Sequence, residues 1–93
     1  MEDMNYCVYA HLNKVNGKVY VGTTGRNPLE RFKNGWGYYQ NPEFSADIKK
    51  YGWENFEHMV LDDCLTKEEA FRVERFFIES FEATDPEQGY NRI

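Results

Sequence analysis

Tyr6-Cys7-Val8-Tyr9-Ala10-His11-Leu12 and Lys18-Val19-Tyr20-Val21-Gly22, joined across Asn16-Gly17, decide the fold. Both runs alternate in character and are rich in β-branched and aromatic residues, which predicts two strands. Asn-Gly between them is the strongest short hairpin signal, because both central residues of a type I′ turn need positive φ. A two-residue loop there would set Val15 opposite Lys18 and Leu12 opposite Val21. Val8, Ala10, Leu12, Val19 and Val21 then share one face, and Tyr9, His11, Lys18, Tyr20 and Gly22 share the other. The hairpin has one apolar face and one face of phenols, an imidazole and an ammonium. A longer loop would shift the pairing but keep these faces, because side chains alternate along each strand.

Asn27-Pro28 is a helix start, with Leu29 and Phe32 facing inward and an end near Asn34-Gly35. Asn41-Pro42 repeats the signal, with Phe44, Ile48 and Tyr51 on one face and Gly52 closing the helix. Phe56 to Leu61 reads as a third strand. Thr66-Lys67-Glu68-Glu69 is a capping box before a long amphipathic helix. Ala70, Phe71, Val73, Phe77, Ile78 and Phe81 fall on its apolar side, and Phe76 is an apolar residue on the polar side. The expected fold is α+β: a small three-stranded antiparallel sheet with an N-terminal hairpin, flanked by about three helices.

The chain has 93 residues, a length that predicts one domain over residues 1–93. No apolar run reaches the length of a membrane span. Cys7 and Cys64 fit no zinc spacing and read as reduced thiols of a cytoplasmic protein. The net charge of -5 argues against a tight free-standing nucleic-acid binder. The charge is unevenly spread, however. Ala10 to Lys50 carries seven bases (Lys14, Lys18, Arg26, Arg31, Lys33, Lys49, Lys50) against three acids, whereas Phe56 onward carries ten acids against four bases. A locally basic face permits phosphate contact.

Glu74 is the anomaly. It lies near the middle of the apolar side of the last helix, one turn from Ala70, Phe77 and Ile78. A carboxylate there is costly unless solvated, paired or metal-bound. Periodicity leaves three readings open: a reach to solvent, a salt bridge to Arg31, or a metal ligand. Hard cations such as Mg²⁺ often take only one or two protein carboxylates, with water and phosphate completing the shell.

Cys7-Val8-Tyr9 followed by Tyr20-Val21-Gly22, in the context Asn-Gly-Lys-Val-Tyr-Val-Gly, resembles the two signature tripeptides of the GIY-YIG nuclease family. Arg31, Glu74 and Asn91 follow in the order of that family. The similarity runs from Tyr6 to Asn91, and Lys50-Tyr51-Gly52-Trp53-Glu54-Asn55-Phe56-Glu57-His58 is similar to a phage or bacterial branch. The resemblance implies a divalent-metal-dependent DNA endonuclease like the nuclease domain of homing endonucleases. In it Tyr9 is the general base and Tyr20 positions water or phosphate. Arg31 stabilises the pentavalent phosphorane, and Glu74 holds one Mg²⁺ or Mn²⁺. Asn91 binds phosphate or shapes the metal site, with Lys18 and His11 also on the substrate side. DNA is the implied partner, with a homodimer or a separate DNA-binding partner or domain supplying what one small domain lacks. A tyrosine base must fall about 3 units from about 10 to ionise at neutral pH, roughly 4 kcal/mol. Lys18, Arg31 and the metal are the expected sources. Cys7 stands where glycine is usual. Gly35 stands where many members carry a histidine, leaving His11 or Tyr38 as substitutes in the proton path and His58 as a strand residue bonded to backbone. The alternative reading is a catalytically weakened module of the same fold that binds nucleic acid or protein.

Overall fold

The computed structural model describes residues 4–25 and 27–92, the side chains at 29, 33, 34 and 36 excepted. The predicted inward packing of Leu29 lies outside these, as do Arg26 and the side chain of Lys33. Strands β1 (Tyr6–Asn13) and β2 (Val19–Thr24) form the hairpin, and β3 (Phe56–Leu65) pairs with the far edge of β1. The sheet is antiparallel in the order β2-β1-β3. Helices α1 (Pro28–Phe32) and α2 (Pro42–Tyr51) are joined by a 3-10 segment, Lys33–Tyr38, and α3 (Lys67–Ser80) follows β3. The α+β expectation holds. No helix among the described residues is long and apolar enough to cross a membrane.

The hairpin loop differs from the two-residue expectation. Asn13 N–H donates to Lys18 O and Gly17 N–H to Asn13 O, so the loop spans four residues. Gly17 alone in the loop has positive φ, +80°. The physical reason is Asn13, whose side-chain oxygen accepts from the N–H of Val15 and holds the loop open in a wider turn. Pairing shifts by two residues, to Leu12 opposite Val19 and His11 opposite Tyr20. A shift of two preserves both faces.

Those faces make two cores. Val8, Ala10, Val19 and Val21 pack with Ala70 and Ala83, flanked by Val73, Phe77 and Ile78 of α3. Tyr9 packs with Phe32, Tyr38, Phe44, Phe56 and Tyr90, flanked by Tyr20 and Trp53. Thus α3 covers the apolar face, and α1, α2 and their connection cover the phenol face. The predicted apolar side of α3 is too wide: Phe71 and Phe81 are exposed. A three-stranded sheet is narrow, and Ala70 marks the line of closest approach, so rings at the margins overhang it.

Helix ends follow the sequence signals. The Asn41 side chain accepts from Phe44 N–H, and Thr66 and Glu69 form the reciprocal capping box. Gly52 closes α2 at φ +86°. β3 runs four residues beyond the predicted Leu61, with irregular pairing around Val8 and Cys64 at φ +56°.

Candidate active site

Tyr9 lies at the centre of β1, opposite Gly22 of β2. Its phenol crosses its neighbour: a Cβ on Gly22 would sit 2.5 Å from the Tyr9 hydroxyl. The glycine of the second tripeptide is therefore the floor on which the first tripeptide's tyrosine rests. Alanine there must displace the phenol. Gly22→Ala is expected to cost about 1–3 kcal/mol, as overpacked cores do, and to lower turnover more than substrate affinity. Chemical denaturation and initial-rate kinetics check both.

Arg31, near the end of α1, is half-buried with Tyr20. Its guanidinium lies 4.4 Å from the Tyr38 ring centroid, donates to Gly37 O at 3.1 Å and hydrogen-bonds Tyr20. Gly37 makes this possible, because a Cβ there would meet Nη1 at 2.5 Å. The sequence offered this cradle as Gly35-Trp36-Gly37, a signal that the family tripeptides overshadowed.

Glu74 is half-buried on α3 and has no hydrogen-bond or ion-pair partner among the described residues. The salt bridge to Arg31 does not form. Burial holds its carboxyl above the usual range. Its charge reaches Tyr9 and Tyr20, raising both phenols, while Arg31 lowers both. Two tyrosines from the sheet, an arginine from α1 and a carboxylate from α3 thus share one electrostatic environment.

The phenols are harder to ionise than expected. Burial, more than any other influence, pushes Tyr9 up to about 12 and raises Tyr20 and Tyr38 as well. Lys18 offers no relief. It lies at the hairpin end, with its ammonium 5.9 Å from the Tyr90 ring centroid. That is two strand positions beyond Tyr20 along the sheet.

Two further residues named by the sequence are held in the packed framework. His11 is wholly buried. Its Nε2 is 2.6 Å from the Tyr38 hydroxyl and its Nδ1 is 2.9 Å from Nδ1 of His58. Asn91 engages both ends of its amide with one residue: Oδ1 accepts from Val21 N–H and Nδ2 donates to Val21 O, each at 2.8 Å. It acts as a surrogate strand neighbour on the outer edge of β2, next to the parallel bridge between Val19 and Gly89. Asn91→Ala would strip two partners from a buried backbone unit and is expected to cost about 2 kcal/mol. A urea melt checks this.

Gly35 has φ +90°, and a Cβ there would meet Ile48 and Trp53 at 2.9 Å. A histidine at this position would strain the backbone and push Ile48 and Trp53 aside. No cluster of three or more His, Cys, Asp or Glu suited to a metal occurs among the described residues. A single unpaired, half-buried carboxylate fits a hard cation whose other ligands are water and phosphate.

A family model described as the GIY-YIG catalytic domain matches residues 5–91. The chain is 35% identical over 75 residues to "Putative endonuclease segE" of Enterobacteria phage T4, covering 81% of this chain and 35% of that protein. It is 31% identical over 78 residues to "Putative endonuclease segD" of the same phage, covering 84% and 33%. It spans about a third of the length of these curated relatives. Among solved structures, the catalytic domain of the homing endonuclease I-TevI matches with a TM-score of 0.74 at 22% identity, covering 92% of this chain and 96% of that one. A mutant of that domain gives 0.77 at 23% identity, covering 98% and 93%. With the tripeptides on adjacent strands and the same fold around them, the chain belongs to the GIY-YIG family.

Proposed function

We propose that this domain hydrolyses DNA phosphodiester bonds in a reaction that depends on a divalent cation, Mg²⁺ or Mn²⁺. The observation that carries the proposal is Glu74, a half-buried carboxylate without a protein partner whose charge is felt by Tyr9 and Tyr20. Glu74 would hold the metal, which when bound polarises the phosphate and stabilises the leaving oxygen. Tyr9 takes a proton from the attacking water. Tyr20, hydrogen-bonded to Arg31, fixes the water or the phosphate. Arg31 places positive charge where negative charge accumulates on the phosphate. Tyr9 is only 1% exposed, so the attacking water reaches the phenol only where substrate binding opens the packing around it.

The acidic balance of the chain argues that DNA is held weakly here. Sequence choice and double-strand cutting would then fall to a DNA-binding partner or domain, or to a second copy. Supercoiled plasmid incubated with Mg²⁺ or Mn²⁺ tests the activity. Nicking by the wild type, absent with chelator and absent in Glu74→Ala, is the expected result. Equal traces in both proteins would favour the binding-module reading.

A further inference from the structure

Tyr9, Tyr38, His11 and His58 form an unbroken hydrogen-bonded line from the centre of the sheet to its surface. The Tyr9 and Tyr38 hydroxyls are 3.4 Å apart, the Tyr38 hydroxyl is 2.6 Å from His11 Nε2, and the two Nδ1 atoms of His11 and His58 are 2.9 Å apart. Tyr9, His11 and Tyr38 are buried, whereas His58 is exposed. Strand pairing sets the imidazoles side by side, since His11 lies opposite His58. Trp53 holds His58 in place, with ring centroids 4.3 Å apart. His58 lines an open groove with Asn27, Phe32, Trp53, Glu54 and Val60.

We propose that this line is the proton exit of the active site, with Tyr38 and His11 passing the Tyr9 proton to His58 and His58 releasing it to solvent. The inference rests on the nuclease reading above. It fills the place left empty at Gly35, where a side chain would be strained and would crowd Ile48 and Trp53.

The transfer balances with one proton moved at each link. At rest the Tyr38 hydroxyl donates to Tyr9; once it turns toward His11 Nε2, 2.6 Å away, the Tyr9 O–H breaks as an O–H forms on Tyr38. The former Tyr38 hydrogen moves to His11 Nε2, and the hydrogen on His11 Nδ1 moves to Nδ1 of His58. The resulting imidazolium, whose ring also hydrogen-bonds the Trp53 backbone as the strand position predicts, loses a proton to water or buffer at the exposed edge of β3. As its own proton leaves, Tyr9 accepts the proton of the attacking water, whose oxygen bonds to phosphorus while the bond to the leaving oxygen breaks. No link carries net charge except transiently, which suits a buried path: burial, followed by the neighbouring His58 and Arg31, pulls His11 down to about 2, so its resting form is neutral. Tyr38, His11 and His58 touch no reacting atom and act through Tyr9 as positioning residues.

The test cuts the line at its middle and at its exit. Tyr38→Phe removes one hydroxyl and keeps the ring under Arg31. His58→Ala opens a space at the surface that free imidazole can enter. Both are expected to lower kcat about 10²-fold, within the range of acid–base contributions, with KM unchanged, and imidazole is expected to restore His58→Ala. Nitrogen-15 NMR of the imidazoles reads the line without catalysis: the His11 tautomer should change in Tyr38→Phe. Unchanged kcat in both variants, or loss in His58→Ala that imidazole does not restore in a folded protein, overturns the exit path while the nuclease reading stands. Wild type no more active than Glu74→Ala overturns both.

Discussion

Glu74→Gln is expected to abolish metal-dependent nicking and yet to melt at a higher temperature than the wild type when no divalent ion is present. The two effects have one cause. An ionised carboxylate, half-buried and without a partner, destabilises the folded state. Its folded pKa lies above the unfolded value near 4.3, so wild-type stability from this group is greatest at low pH and is lost as pH rises through the carboxyl's titration. The advantage of glutamine should therefore be present at pH 8 and vanish near pH 4. Divalent metal should reverse the order. An ion bound only to the folded wild type adds about 1.4 kcal/mol at ten times its dissociation constant and adds nothing to the glutamine variant. Loss of the metal ligand removes charge stabilisation at the phosphate, and a fall of about 10³-fold or more in turnover is expected. Calorimetry with and without Mn²⁺, beside plasmid nicking, checks each part. A metal-induced rise of equal size in both proteins would place the cation elsewhere.

The sequence disclosed the framework because it is written in local signals. Asn41-Pro42, Gly52 and the Thr66–Glu69 box act over three or four residues, and the structure uses each as read. Face assignment in the hairpin survived a wrong loop because alternation along a strand does not depend on register. What stayed hidden depends on contacts between distant residues. Asn13 bends the loop by a side-chain bond that no turn pattern announces. Asn91 looks like a free polar residue beside the tripeptides, but the edge of β2 claims both ends of its amide. His58 lies 47 positions from His11, and only the pairing of β1 with β3 brings the rings together. The strength of burial was hidden too. A strand carrying several phenols suggests a site that arginine and lysine could tune downward, whereas close packing on every side drives the phenols upward. Glu74 was visible because it breaks a helical period. The absence of an Arg31 salt bridge was not, since that depends on where two helices on opposite faces of the sheet come to rest.

Tyr9→Phe is expected to lower kcat by about 10²–10⁴-fold with stability changed by no more than about 1 kcal/mol. The hydroxyl makes one hydrogen bond, a long one to Tyr38, and the ring packs against Phe32 and His11 with or without it. The chemical demand on that hydroxyl is severe. With its pKa pushed up to about 12, ionising Tyr9 in advance at pH 8 would cost about 5 kcal/mol at 1.36 per unit. A phenol that passes its own proton to Tyr38 while taking one from water avoids that cost, because no isolated phenolate has to accumulate. The pH dependence separates the two mechanisms. A preformed phenolate grows tenfold with each pH unit, so the gap between wild type and Tyr9→Phe would widen tenfold per unit from pH 7 to 9. A relayed proton requires only that the terminal acceptor be neutral. Burial holds His58 below its ordinary 6.5, so it meets that condition across the whole interval. The gap should then stay constant. Full activity in Tyr9→Phe would remove the phenol from the chemistry. A gap that widens with pH would keep Tyr9 as the base but deny it the relay through Tyr38 and His11.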